Sequence, residues 1–207
     1  MLQTWLKVKR ISPFILVLLS SCAHQQSKIQ DRSEWRTAPF IPHDTWLAIN
    51  VDPKPADQIR SQLDQLSQMT HKHRGEAHIT IITPPEYEKL KKYISMTEIN
   101  KIALDSGINQ IQWRNICLGS GAINFDGKTL KTYFVVVDSP ELVRFREVIE
   151  AKAQSLGARS GDFKAQTYYP HITIGFTDRD LHESDGVIKD EKSCNFELVD
   201  PMGFKIK

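Results

Sequence analysis

The tetrapeptide His78-Ile79-Thr80-Ile81 returns as His171-Ile172-Thr173-Ile174, and each copy closes a stretch patterned as strand, helix and strand. With 7 His and 12 Thr in 207 residues, chance supplies roughly 0.4 copies of His-x-Thr, so one copy would carry little weight. Two copies with the same apolar fillers and matching flanks point to an internal duplication.

Outward from the first copy, Trp46-Leu47-Ala48-Ile49-Asn50-Val51-Asp52 reads as a strand, with Pro53 and Pro55 opening a helix. Ile59, Leu63, Leu66 and Met69 recur at helical spacing and predict an apolar stripe facing a sheet. A basic connection, His71-Lys72-His73-Arg74-Gly75, leads into a strand over 77–83 that carries the motif. The second half repeats the plan. A strand over 133–138 meets Ser139-Pro140, then a helix with Leu142, Phe145, Ile149, Ala153 and Leu156 on one face, a polar connection over 157–166, and the second motif strand. Between the halves, Pro84-Pro85 opens a short helix and Ser95-Met96-Thr97-Glu98 caps another. Strands near 111–118 and 130–138 form a hairpin turning at Asp126-Gly127. Gly119-Ser120-Gly121 lacks the lysine and Ser/Thr of a phosphate-binding P-loop and reads as a bulge or turn. Final strands are expected over 196–199 and near 204–206. The expected fold is α+β, with two pseudo-symmetric lobes of antiparallel sheet, outer helices and a central cleft.

Alternate residues of a strand share a face, so His78 and Thr80 point away from their isoleucines, as do His171 and Thr173. If the halves pack about a pseudo-twofold axis, two imidazoles and two hydroxyls surround one point. That set suits in-line displacement at phosphorus. One neutral imidazole takes a proton from the attacking hydroxyl or water, an imidazolium protonates the leaving oxygen, and the threonines donate to non-bridging oxygens. No metal is required. His71 and His73 lack a Cys or acidic partner at familiar ligand spacing, so no metal site is expected.

These motifs and flanks resemble the two-histidine (2H) phosphoesterase superfamily, which includes bacterial RNA 2′,3′-cyclic phosphodiesterases and 2′-5′ RNA ligase-like proteins. Thr83-Pro84-Pro85-Glu86 after the first motif, and Gly175-Phe176-Thr177 with Asp180-Leu181-His182 after the second, look similar to its Swiss-army-knife-like branch. The resemblance covers residues 45–207. It implies catalytic roles for His78 and His171, phosphate binding by Thr80 and Thr173, no cofactor, and hydrolysis of a 2′,3′-cyclic phosphate to a monophosphate or related RNA-end chemistry. The near symmetry of the pair leaves open which histidine is the base. Tyr168 and Tyr169 are candidates to stack on a base, ordinary core contacts being the alternative. Lys164, with Lys72 and Arg74, is a candidate source of positive charge, solvated loop charges being the alternative, and His182 is a candidate neighbour of the site, a surface loop histidine being the alternative. A rival reading is a lipid-anchored module of the same fold that binds a phosphate or nucleotide without turnover; the presence of both histidines weighs against it. A metal-dependent hydrolase is a third reading, which chelator resistance would exclude.

Residues 1–21 carry a basic head (Lys7, Lys9, Arg10) and an apolar run over 11–19, about half of the length that a membrane-spanning helix needs. Leu19-Ser20-Ser21-Cys22 resembles the lipobox of bacterial lipoproteins, an ordinary secretory signal that ends near a cysteine being the alternative. The expectation is a signal peptide over 1–21, a lipidated Cys22, a flexible tether over 22–44 and the duplicated domain over 45–207. Ala23 favours the outer membrane where there are two. Without the three cations of the leader, 24 Lys+Arg stand against 25 Asp+Glu. A long polyanion calls for a basic surface, so the expected partner is a small nucleotide or RNA end. The membrane is reached only through the lipid, the protein is expected to be a monomer, and ligation of tRNA halves fits poorly with an extracytoplasmic anchor. In an oxidising compartment Cys117 and Cys194 are free to pair; burial as free thiols is the alternative.

Overall fold

Alternating hydrophobicity divides the strands of this chain between two apolar layers on opposite faces of one sheet. The computed structural model describes residues 27–32 and 34–205. The expected signal peptide and the lipidation site Cys22 lie outside the described residues. An N-terminal strand β1 (Ser27–Gln30) is followed by the first half: β2 (Leu47–Val51), α1 (Pro53–Ser67) and β3 (Ala77–Ile82). Then come α2 (Pro84–Leu90), α3 (Met96–Asp105) and β4 (Arg114–Phe125). The second half is β5 (Lys128–Asp138), α4 (Pro140–Ser155) and β6 (His171–Phe176), and β7 (Cys194–Val199) closes the series. The order across the sheet is β1-β7-β4-β5-β6-β3-β2. All neighbours are antiparallel except β1 and β7, which run parallel. The α+β class is as expected, and the two halves share a single sheet that joins where β3 meets β6.

Helix starts follow the local chemistry. Asp52 accepts a hydrogen bond from the Lys54 N–H ahead of two prolines, and Thr83 and Glu86 form a reciprocal capping box on α2. Ser95 and Ser139 cap α3 and α4. Ile59 and Leu63 of α1 are buried as expected, but Leu66 and Met69 are exposed. Leu66 borders a shallow surface depression beside Lys28 and Gln30, and Met69 lies past the helix end, where Gln68 turns left-handed (φ 53°). Leu156 is exposed one residue past the end of α4, and the fully buried Arg146 joins the apolar face of that helix.

On the helix-covered face, Ile49, Ile79, Val135 and Ile172 pack with Ile59, Leu63, Leu142, Phe145 and Ile149. On the opposite face, Leu130, Phe134 and Val136 pack with Cys117, Leu181 and Val187. Cys117 and Cys194 form a disulfide with a Cα–Cα separation of 5.7 Å, tying β4 to β7. The Gly119-Ser120-Gly121 stretch lies inside β4, where pairing with β7 shifts register at Leu118/Gly119. A Cβ on Gly119 would sit 2.7 Å from the Phe134 ring, and one on Gly121 would collide with Val187. These glycines let the segment between β6 and β7 lie directly on the sheet.

The expected tether is corrected from Ser27 onward. Ile29 is fully buried in the main core, and Gln62 brackets the Gln30 backbone with bonds of 2.9 and 2.7 Å. Asp31 accepts from the Trp35 indole N–H (2.8 Å) and from Asn115 (3.2 Å). Residues Arg36 and Ala38 exchange backbone hydrogen bonds with Asp52 and Asn50. Single apolar residues (Ile29, Trp35, Phe40) anchor this segment, and they are too widely spaced to leave a periodic signal. Of the last expected strands, β7 starts at Cys194, and near 204–206 the chain makes only an isolated bridge, Val199 to Lys205, with Ile206 outside the described residues.

Candidate active site

Ile79 and Ile172 are Cα partners in the antiparallel β3–β6 pair. That register sets His78 across from Thr173 and Thr80 across from His171, all four on the face opposite the isoleucines. Directly opposed Cβ atoms lie roughly 4.5–5.5 Å apart and diagonal neighbours roughly 7–8 Å. The two histidines occupy one diagonal of this square and the two threonines the other. The flanking pairings repeat about the same pseudo-twofold axis: Ile49 with Ile79 and Val135 with Ile172, Ala48 with Thr80 and Phe134 with Thr173. Even the irregularities match, because register passes over Ile81 in one half and Ile174 in the other. Such bulges bend the strand and re-aim side chains, here just past each threonine.

The surroundings break the symmetry. In the second half, His171 Nδ1 lies 2.8 Å from the Tyr169 carbonyl, which only accepts, so Nδ1 carries the proton and the neutral ring has its lone pair on Nε2. The Phe134 ring packs edge-on at 5.9 Å. Burial, then the nearby Lys189 ammonium, hold the imidazole well below its ordinary pKa, against the opposing effects of the Tyr169 carbonyl and Asp180. Thr173 Oγ1 donates to Asp180 Oδ2 (3.2 Å), which also receives Arg74 Nη2 at 3.3 Å. Asp180 Oδ1 accepts from Thr132 (2.7 Å) and from Lys189 Nζ (3.0 Å). The Asp180 and Lys189 side chains are 6 % and 4 % exposed. Burial pushes the Asp180 carboxyl up, but Lys189 and the Thr132 hydroxyl outweigh it and hold the group below the usual carboxylate range. Asp180, Lys189 and Arg74 together leave one net positive charge beside Thr173.

In the first half, His78 Nδ1 is buried and, among the described residues, has no hydrogen-bond partner. The Glu76 carboxylate is 3.5 Å away, too far for a good hydrogen bond but close enough to pair with an imidazolium. Burial pushes His78 below its ordinary pKa, and Glu76 opposes that shift. Trp46 lies against the His78 ring (5.0 Å) and stacks on His43 (3.9 Å). Among the described residues, the Thr80 hydroxyl makes no hydrogen bond, whereas its carbonyl accepts one from the Tyr168 hydroxyl (3.0 Å).

Tyr168 is thus a support of β3. Its ring packs against the main core with the Arg146 guanidinium over one face at 4.5 Å, which is the core contact of the two alternatives and not the base-stacking one. Arg146 also donates to the carbonyls of Ile81, Lys164, Ala165 and Thr167 and to Glu86, joining the end of β3 to the loop before β6. Tyr169 contributes its carbonyl to His171, a role no side-chain pattern announces. Lys164 is exposed and meets this network through its backbone, with no hydrogen bond or ion pair to the histidine pair among the described residues. Lys72 pairs with Asp178 at 2.7 Å on the surface. His182 lies in the loop beside Asp180, which favours its charged form, although burial has the larger, opposite effect. His71 is held by Asp64 at 2.6 Å, and among the described residues no group of three or more His, Cys, Asp or Glu is placed to hold a metal ion. Sequence reasoning missed Lys189 and the roles of Asp180, Trp46 and Glu76. Only Asp180 carried a signal, in the string Asp180-Leu181-His182.

The Swiss Army Knife, 2H phosphoesterase domain family matches residues 45–182, and the chain belongs to that family. The matched span contains both His-x-Thr motifs and Asp180 and stops short of Lys189. No curated protein and no solved structure matches the chain.

Proposed function

We propose that this protein is a metal-independent phosphoesterase that opens 2′,3′-cyclic phosphates of nucleotides or RNA ends. The observation that carries the reading is the antiparallel β3–β6 register, which sets two imidazoles and two threonines around one point on a half-open face. Family membership supports the phosphoester chemistry. His171 acts as the base, because its Nδ1–H is committed to the Tyr169 carbonyl and Nε2 is left to accept. His78 acts as the acid, because Glu76 favours its imidazolium. Water attacks phosphorus and passes a proton to His171 Nε2. The bond from phosphorus to one ribose oxygen breaks, and that oxygen takes the proton of His78. The monoester leaves, and solvent exchange returns both imidazoles to their starting states. The Thr80 hydroxyl and the local positive charge stabilise the non-bridging oxygens.

The proposal extends to place. The Cys117–Cys194 disulfide supports an oxidising compartment, consistent with an envelope protein lipidated at Cys22 and most readily held at an outer membrane. Small cyclic nucleotides or oligonucleotide ends are the substrates that would reach it there. The test is to incubate the purified chain, in EDTA, with 2′,3′-cyclic nucleotides and cyclic-phosphate-ended oligonucleotides and to identify the products. Conversion to monophosphates that survives chelation is expected. Binding without turnover would favour a non-catalytic module, and turnover abolished by EDTA would favour a metal enzyme.

A further inference from the structure

We infer that the two threonines of the duplicated motif have opposite hydrogen-bonding roles: Thr80 donates to a phosphoryl oxygen, whereas Thr173 accepts a hydrogen bond from the attacking water, turned that way by Asp180 and Lys189. The inference rests on the phosphoesterase reading and assigns Asp180 and Lys189 as positioning residues.

A threonine hydroxyl has one proton and two lone pairs, and a carboxylate can only accept. The 3.2 Å contact between Thr173 Oγ1 and Asp180 Oδ2 therefore fixes where the proton goes. The carboxylate cannot easily turn away, because Thr132 and Lys189 hold Oδ1 and Arg74 holds Oδ2. All of these but Arg74 are buried or half-buried, and a hydrogen bond to an ionised acceptor is stronger than one between neutral groups. What Thr173 presents to the site is lone pairs. Lone pairs repel a phosphoryl oxygen and attract an O–H. Thr80 has no such partner among the described residues and keeps its proton for the ligand.

Within the reaction, the attacking water has two hydrogens. His171 Nε2 takes one as the P–O bond forms, and the second, hydrogen-bonded to Thr173, remains on the product as its P–OH hydrogen. Two acceptors on one strand thus aim the water's lone pair at phosphorus. This is orientation of a nucleophile, worth little in binding and much in turnover. The same geometry favours ligands that place a donor O–H, water or a ribose hydroxyl, beside the phosphate.

The threonine variants separate these roles. Turnover of adenosine 2′,3′-cyclic phosphate and calorimetric binding of adenosine 2′- and 3′-monophosphate would be measured for Thr80→Val, Thr173→Val and Thr173→Ser. The double variant Asp180→Leu/Lys189→Met removes the acceptor and its buried cation without leaving a lone buried charge, the Arg74 side chain being exposed, and it would be compared with and without Thr173→Val. Thr80→Val is expected to weaken monophosphate binding at least about tenfold. Thr173→Val is expected to change binding less than about twofold while kcat falls at least about tenfold, and serine restores kcat. Adding Thr173→Val to the double variant should cost nothing further, since the two changes remove one interaction. Equal binding losses in the two valine variants, or fully additive losses in kcat, would overturn the inference. Wild-type protein that binds the monophosphates without turnover overturns the phosphoesterase reading but leaves the binding comparison to judge the threonines; absence of both binding and turnover overturns both.

Discussion

The two half-sites are built from one backbone plan and finished with different chemistry. Strand pairing, bulge position and the His-x-Thr face agree residue for residue across the pseudo-twofold axis. Around His171 and Thr173, however, stand a backbone carbonyl, a buried Asp–Lys pair and a tightly packed phenylalanine. Around His78 and Thr80 stand an exposed glutamate, a tryptophan and an uncommitted hydroxyl. Symmetric backbone places two imidazoles and two hydroxyls around one point, and the proposed proton transfer on two sides of a phosphate would need two unlike histidines. The neighbours make them unlike.

The comparison can be broken most forcefully at the histidines. Replacing either by alanine is expected to lower turnover of a cyclic nucleotide by about 10²–10⁴-fold, with the far-ultraviolet spectrum unchanged. A loss in only one variant would mean that one half carries the chemistry alone. Next in size is the unequal dependence on buried charge. Lys189→Ala leaves Asp180 without its principal cation and is expected to destabilise the fold by about 3–5 kcal/mol. Glu76→Ala, at a half-exposed partner in the other half, is expected to cost under about 1 kcal/mol in the same denaturant titration. Similar losses at the two sites would contradict the account.

Acid response follows from the same difference. The folded-state pKa values of His171 and His78 lie below the ordinary 6.5, so the unfolded chain binds more protons once pH falls below about 6.5. Stability should therefore decline from there downward. Asp180, held below its ordinary 3.8, adds a second loss as pH falls from that value through about 2. His171→Gln should flatten the first decline in a series of Tm against pH more than His78→Gln does. The smallest effect is expected at Glu76→Gln, which weakens support for the His78 imidazolium and moves the alkaline limb of the rate profile to lower pH, with a rate loss of only a few-fold. An unmoved limb would detach Glu76 from the acid role.

The duplication was legible because strands alternate faces and helices recur every 3.6 residues, so His78/Thr80 and His171/Thr173 separate from their isoleucines without any tertiary knowledge. The helix caps at Asp52, Ser95 and Ser139 are local for the same reason. Register between β3 and β6 was not legible, since it joins residues 93 positions apart and no short-range rule sets it. Asp180, Thr132 and Lys189 meet through a loop folded onto the sheet, and isolated polar residues in loops leave no periodic trace. Tyr168 reads the same in sequence whether its ring faces ligand or, as here, Arg146. The N-terminal segment misled because Ile29 and Trp35 dock one at a time between polar residues.

The central claim is that His78 is the acid and His171 the base of one displacement at phosphorus. A substrate whose leaving group needs no proton tests it most directly. An aryl phosphodiester that releases a stable phenolate should be hydrolysed by His78→Ala within about tenfold of the wild-type rate, while His171→Ala stays down by about 10²-fold or more. Rescue of His171→Ala instead, or of neither variant, would contradict the account.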